Sequence, residues 1–347
     1  NQARQYGFRL TTHQFFEHQT IAALAAVAGA GDVVAAEQGE VTGPVPLTPI
    51  QHWFFEQRFS DPDHFNLVLT LESPEALDAA RLEVAMGHLV ERHDALHFSY
   101  DEDSSGRVQE YAGPGERVSC AVTDLSTMSA SEQEAAMAEE TAALNARVHL
   151  ATGPLVALAL FTRGAGRGSR VVIAVHHLVM DAVSCHVLLA DLQTAYEQLG
   201  RGEAIALPPG TTAFGHWAQQ LVEHAQSEAL EVEVDYWCAP SWSQTSSLPL
   251  DFPEGVNTVD SARQYSISLN DEETHALLQE VPKAYNTQIT DVLLAALAQA
   301  LTGWTGASGH SIALEGHGRE PILEGVDLSR TIGWFTTLYP VHIDLAG

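Results

Sequence analysis

The segments "LVALALFTR" (Leu155–Arg163) and "RVVIAVHHL" (Arg170–Leu178) bracket the turn-rich "GAGRGS", and this arrangement limits the fold more than any other part of the chain. Two apolar runs of strand length around a glycine-rich turn predict a hairpin of two buried strands. "AVSCHVLLADLQTAYEQLGRG" then predicts a helix stopped by Gly200. Upstream, "HFNLVLTLE" (His64–Glu72) has the apolar run of a strand. "SPEALDAARLEVAMGHLVERHDAL" follows as a helix, with Ser73 as its cap, Pro74 in the first turn and Leu77, Leu82 and Leu89 at helical intervals. Strands and helices alternate, so an α/β sandwich is the economical expectation.

From about Thr211 a second set of elements begins. "TTAFGHWAQQLVEHAQSEALEVEVDYWCAP" reads as helical, "ARQYSISLN" as a strand, and "DEETHALLQEV" as a helix capped by Asn270 or Asp271. "TQITDVLLAALAQALTGWTG" is apolar nearly all round, which predicts deep burial. Before the main body, "LTTHQFFEHQTIAALAAVAGA" reads as a short helix ended by glycines, and "GDVVAAEQGEVTGPVPLT" as a linker. The expected organisation is a remnant of a preceding unit over 1–30, a linker over 31–45, a first lobe over 46–210 and a second over 211–347. The last strand has no covering element within the sequence, so the second lobe is expected to continue past Gly347.

Sixteen basic residues face 45 acidic ones, a formal charge of −29 that repels nucleic acid and anionic membranes. No stretch approaches the roughly 20 apolar residues of a membrane helix, and no secretory leader is evident, so a soluble, cytoplasmic protein is expected. Cys120, Cys185 and Cys238 are far apart and odd in number, against both disulfides and a thiolate metal site.

Two segments could carry chemistry. In "AVHHLVMDAVSC" (Ala174–Cys185), His176 and His177 lie where the apolar strand ends, so their side chains are expected on opposite faces. Only one can face a given cavity, and the pair also reads as two packed core histidines. Asp181 stands just before a helix, where its carboxylate can fix the loop through backbone N–H groups or an arginine. Adjacent histidines at a strand end cannot both reach one ion, so no metal is expected. In "ALEGHGRE" (Ala313–Glu320), a strand ends in Glu315, with His317 between two glycines that allow close approach of a ligand. If desolvated, the Glu315 carboxyl suits a general acid or base, and Arg319 could oppose that by pairing with it. The same segment also reads as a surface Glu–Arg loop.

These residues resemble a known family. "HHLVMDAVS" is similar to the HHxxxD motif of condensation and epimerization domains of nonribosomal peptide synthetases, which are related in fold to chloramphenicol acetyltransferase. "PIQHWFFEQ" (Pro49–Gln57), "TDVLLAALAQAL" (Thr290–Leu301), "EGHGRE" (Glu315–Glu320) and "RTIGWFTTLYPV" (Arg330–Val341) resemble further motifs of the epimerization branch, in the family's order. The N-terminal helix resembles the last helix of a peptidyl carrier domain, without that domain's phosphopantetheine-bearing serine motif.

The resemblance implies a two-lobed α/β fold and epimerization, L to D, of an aminoacyl or peptidyl thioester on the 4'-phosphopantetheine of an upstream carrier domain. A downstream condensation domain is implied as a further partner, and no cofactor is bound directly. By the same resemblance, Glu315 and His177 are the acid/base pair, with His177 alternatively stabilising an enolate. Asp181 holds the histidine loop by pairing with Arg92 or Arg319, and His176 packs beside it. Ser184, Gly316, Trp334, Thr336 and Tyr339 line the substrate path. Departures are Ala182 and Cys185 where the family has glycine and tryptophan, and His97 where it often has arginine. The competing readings are a condensation domain, a catalytically silent docking module for carrier domains, and a free-standing acetyltransferase of the same fold.

Overall fold

Side chains alternate across a strand, so a strand apolar at every position must be covered on both faces. The 155–176 hairpin meets that demand. In a computed structural model describing residues 8–9, 20–30, 43–103, 106–112, 118–164, 166–239, 242 and 247–345, it forms the centre of a four-stranded sheet.

The elements that position the site run in chain order. They are strand β1 (Pro44–Val45), helix α1 (Pro49–Glu56), β2 (Asn66–Ser73), α2 (Ala79–Arg92), β3 (Phe98–Asp103), β4 (Gly106–Tyr111), β5 (Cys120–Asp124) and α3 (Ala130–Asn145). After them come β6 (Val156–Thr162), β7 (Ser169–His176), α4 (Ala182–Gly200), α5 (Phe214–Ala225), α6 (Ile289–Thr305), β8 (Gly309–Gly316) and β9 (Thr337–Asp344). The main sheet has the order β2-β7-β6-β5, antiparallel except for the parallel β5–β6 pair, with Asn66 opposite His176 and Val156 opposite Val175. A smaller sheet has the order β1-β4-β3.

The alternation divides the core. Leu158, Leu160, Val171, Ile173 and Val175 pack with Leu82, Met86 and Leu89 of α2 and with Val187, Leu188 and Leu192 of α4. Ala157, Ala159, Phe161, Val172 and Ala174 pack on the opposite face with Met137 and Leu144 of α3. Helix α2 begins later than the sequence suggests. Asp78, not Ser73, caps it by accepting the Arg81 N–H at 3.2 Å, while Ser73 ends β2 and its hydroxyl accepts from the Glu75 N–H.

The described residues form two compact units. The first lies within 1–229 and 316–337, the second within 230–315 and 338–347. These differ from the contiguous lobes expected at 46–210 and 211–347: α5 packs into the first core, and the segment 316–337 belongs to the first unit as well. Of the N-terminal helix, Ile21–Val27 is described, capped by Thr20; most of the expected remnant and of the 31–45 linker lies outside the described residues.

In the second unit, Asn270 caps Asp271–His275 through a reciprocal pair with Glu273, and β8 pairs with β9. Two expectations fail there. Residues 262–270 form no strand, since a strand needs a pairing partner and none is present among the described residues; Tyr265 and Ile267 are almost fully exposed. Helix α6 is not deeply buried either. Only Ala298 is buried, and Leu293, Leu297 and Trp304 are exposed, because little packs against this helix among the described residues.

Candidate active site

The site in the first unit starts where β7 ends. His176, its last residue, is fully buried. Its Nε2 donates to the Pro62 carbonyl at 2.9 Å and its Nδ1 accepts the Leu178 N–H at 3.1 Å, which fixes a neutral tautomer. Burial above all lowers its pKa to about 4, with the neighbouring His177 acting in the same direction against the Pro62 carbonyl and Asp63. The unfolded chain therefore takes up this proton first as the pH falls. Stability associated with His176 is complete above about pH 6.5 and declines by roughly 3 kcal/mol as the pH drops to 4. Urea midpoints measured between pH 7.5 and 4 should show this loss, and His176→Asn should flatten it.

His177 opens the short 3-10 turn His177–Val179, so it leaves the strand direction and is half-buried rather than enclosed. Its backbone N–H donates to the Phe65 carbonyl at 2.9 Å. Its ring stacks on Phe65 at 5.2 Å and 26° and meets Trp334 at 4.7 Å and 48°. Phe54 packs against Phe65, His176 and Trp334, and the more exposed Trp53 lies edge-on to Trp334.

Four residues beyond His177, Asp181 is buried at the N-terminus of α4. Its Oδ1 accepts the Ser184 N–H at 2.6 Å, its Oδ2 accepts the Phe335 N–H at 3.1 Å, and Arg319 Nη2 reaches both oxygens at 3.2 and 3.3 Å. Arg319 is nearly as buried. Its Nη1 donates to the Leu328 and Thr331 carbonyls, and its guanidinium carbon lies 3.9 Å from the Phe335 ring centre. Desolvation lowers the Arg319 pKa, opposed by Asp181. Both oxygens of the carboxylate are thus engaged.

Ser184 uses all three of its hydroxyl positions: it donates to the Gly333 carbonyl and accepts from Gly333 N–H and Arg319. Read from the sequence as lining the substrate path, it is instead fully buried in this network. The start of α4 therefore clamps residues 333 and 335 and presents Trp334, between them, to His177. The HHxxxD and RTIGWF segments build one site.

Arg92, expected as a partner of Asp181, does not reach it. It donates to the Pro208 carbonyl and lies near a second buried cluster, in which Asp191 of α4 pairs with Arg330 and approaches His93 at 3.5 Å. Burial opposes ionisation of Asp191, but His93 and Arg330 hold its carboxyl below the usual range. Composition and spacing alone do not reveal this cluster. Gln51 is a further residue not singled out from the sequence, although Thr48-Pro49-Ile50-Gln51 carries the capping-box pattern that signals it; the Gln51 carbonyl oxygen accepts the Thr48 N–H. Its buried amide nitrogen also reaches the Leu178 carbonyl at 3.2 Å and Gln109 at 2.7 Å, so the PIQHWF helix braces the residue next to His177.

The remaining candidates divide between the units. Glu315 closes the second unit's share of β8 and is exposed. His317 is exposed, its Nδ1 accepting the Arg319 N–H. Gly318 has φ +65°, and a Cβ there would fall 1.6 Å from the Phe335 carbonyl oxygen; this glycine admits the chain's own backbone rather than a ligand. Thr336 is buried in the first unit and Tyr339 is exposed in the second. Among the described residues no group of three or more His, Cys, Asp or Glu side chains could hold a metal ion, and no helix is long and apolar enough to cross a membrane.

Residues 41–347 match the model of the condensation-domain family. The chain is 45% identical over its whole length to chondramide synthase of Chondromyces crocatus, and 43% identical over 99% of its length to a linear gramicidin synthase component of Brevibacillus parabrevis. It covers 9% and 7% of those proteins, so it spans less than a tenth of their length. Among solved structures it is similar to the epimerization domain from the third module of tyrocidine synthetase B. That match has a TM-score of 0.80 and 37% identity over 90% of this chain and 69% of the other. The first condensation domain of the calcium-dependent antibiotic synthetase matches with a TM-score of 0.67 and 24% identity over 87% of this chain and 69% of that one, a likeness of fold alone. The α/β fold is accordingly the chloramphenicol acetyltransferase-like one of condensation-type domains.

Proposed function

The chain belongs to the condensation-domain family, and from that premise we propose that it epimerizes the α-carbon of an aminoacyl or peptidyl thioester. The thioester is carried on the 4'-phosphopantetheine arm of an upstream carrier domain in a nonribosomal peptide synthetase, and the product passes to a downstream condensation domain. The observation that carries this reading is the setting of His177, a half-buried imidazole held between aromatic rings in a loop anchored by Asp181 and Arg319. Such a group can take and return a proton without the site rearranging. The 37% identity to a solved epimerization domain supports epimerization over condensation.

In the reaction, a base removes the proton from the α-carbon, and the electron pair of the broken C–H bond moves onto the thioester carbonyl oxygen. A proton delivered to the opposite face of this planar enolate re-forms the C–H bond with inverted configuration. Two acid/base groups are needed, and His177 and Glu315 are assigned to them, His177 alternatively stabilising the enolate oxygen.

The test uses the synthetase containing this chain, with its carrier loaded as an aminoacyl or peptidyl thioester, in deuterated water. Deuterium uptake at the α-carbon with movement toward an L/D mixture supports the epimerase. Transfer of the acyl group to a downstream amine with no exchange across a panel of thioesters would replace it with condensation.

A further inference from the structure

The histidine motif does not hold His177 by itself. A second segment, 62–66, is bound to both histidines: the Pro62 carbonyl accepts from His176 and the Phe65 carbonyl accepts from the His177 backbone. This segment is also tied down elsewhere. Asp63 accepts the Leu150 N–H at 2.8 Å and lies 3.3 Å from His149, and Asn66 donates to the Asp63 carbonyl. The Phe65 ring is backed by Phe59, stacked at 5.6 Å and 15°, and by Phe54 at 5.1 Å. It meets Trp334 at 6.0 Å.

We propose that Phe65 is a positioning residue for His177, setting the plane of the imidazole by stacking while its own main chain fixes where that side chain begins. The inference rests on the acid/base role assigned to His177 above. The remaining χ2 freedom of a histidine turns its nitrogens about the Cβ–Cγ bond. A flat partner nearly parallel to the ring, at 26°, restricts that rotation, whereas the tilted Trp334 at 48° bounds it from another side. Proton transfer depends steeply on this aim, since an error of about 1 Å costs on the order of 100-fold in rate. Phe65 is thus required for turnover but not for capturing the acyl carrier.

The experiment compares wild type, Phe65→Leu and Phe65→Tyr in the synthetase containing this chain, its own carrier left unloaded and a loaded carrier domain supplied separately at varied concentration, following α-proton exchange and the ring resonances of isotopically labelled His177. Phe65→Leu should lower kcat about 10- to 100-fold with KM for the loaded carrier within about twofold, and Phe65→Tyr, which keeps the ring, should restore kcat. In wild type the His177 ring protons should show an upfield ring-current shift, of which the part due to Phe65 is lost in the leucine variant, leaving that of Trp334, and kept in the tyrosine variant. Unchanged kcat in a folded Phe65→Leu, or a change confined to KM, overturns the inference. Absence of exchange in wild type overturns the epimerase reading instead, and the difference in ring-current shift between wild type and Phe65→Leu then decides the stacking, its absence refuting Phe65 as the plate.

Discussion

His177→Ala should lower the α-proton exchange proposed for the carrier-bound thioester by about 10²- to 10⁴-fold, the usual contribution of one positioned acid/base group. The protein should remain folded, because the His177 side chain is only half-buried and its backbone bond to Phe65 does not depend on the ring. The measurement is deuterium uptake with the urea midpoint as a folding control. Glu315→Gln should produce a loss of similar size, since inversion needs a proton acceptor and a proton donor. Exchange within tenfold of wild type in a folded His177→Ala would remove His177 from the chemistry.

Asp181→Ala costs the first unit about 3–5 kcal/mol, the penalty for leaving one member of a buried ion pair without its partner. Arg319 would keep its charge in a site that exposes little of it, and the Ser184 and Phe335 N–H groups would lose their acceptors. Part of the loss is the helix cap, about 1 kcal/mol. Arg319→Ala should cost a similar amount. If the two side chains work as a pair, the double variant Asp181→Ala/Arg319→Ala will be markedly less destabilised than the sum of the single changes. Equilibrium urea unfolding measures all of these. A loss below about 1 kcal/mol for Asp181→Ala would show that the network contributes little to folding.

Elements whose burial is settled locally were legible. The 155–176 hairpin and α4 follow from apolar runs and glycine stops, and of the two cap candidates Asn270 and Asp271 the structure uses Asn270. Patterns that need a distant partner were not. Tyr265, Ile267 and Leu269 alternate as a strand does, yet alternation does not supply the hydrogen-bonding neighbour that makes one. Helix α6 reads as buried because its residues are apolar, but burial depends on what packs against it. The site divides in the same way. His177 and Asp181 stand out through a motif, and the family resemblance supplied Arg319 as one of two arginine candidates. Phe65 and the Asp191–Arg330 pair are ordinary residues in ordinary contexts, and only the folded backbone brings them into place.

The first unit is closed by a segment that arrives late in the chain. Asp181 accepts from Arg319, 138 residues onward, and from the backbone of Phe335, 154 residues onward, after the chain has left for the second unit and returned. During synthesis the sheet, α2 and α4 can assemble from sequence before Gly200, with the carboxylate at the head of α4 still open to water. Closing so long a loop costs entropy that no local contact offsets until the returning segment docks. Maturation of the histidine loop should therefore be a late folding event that follows translation of residue 335. A ribosome-bound chain stalled before that point would carry a formed hairpin and an unlocked site.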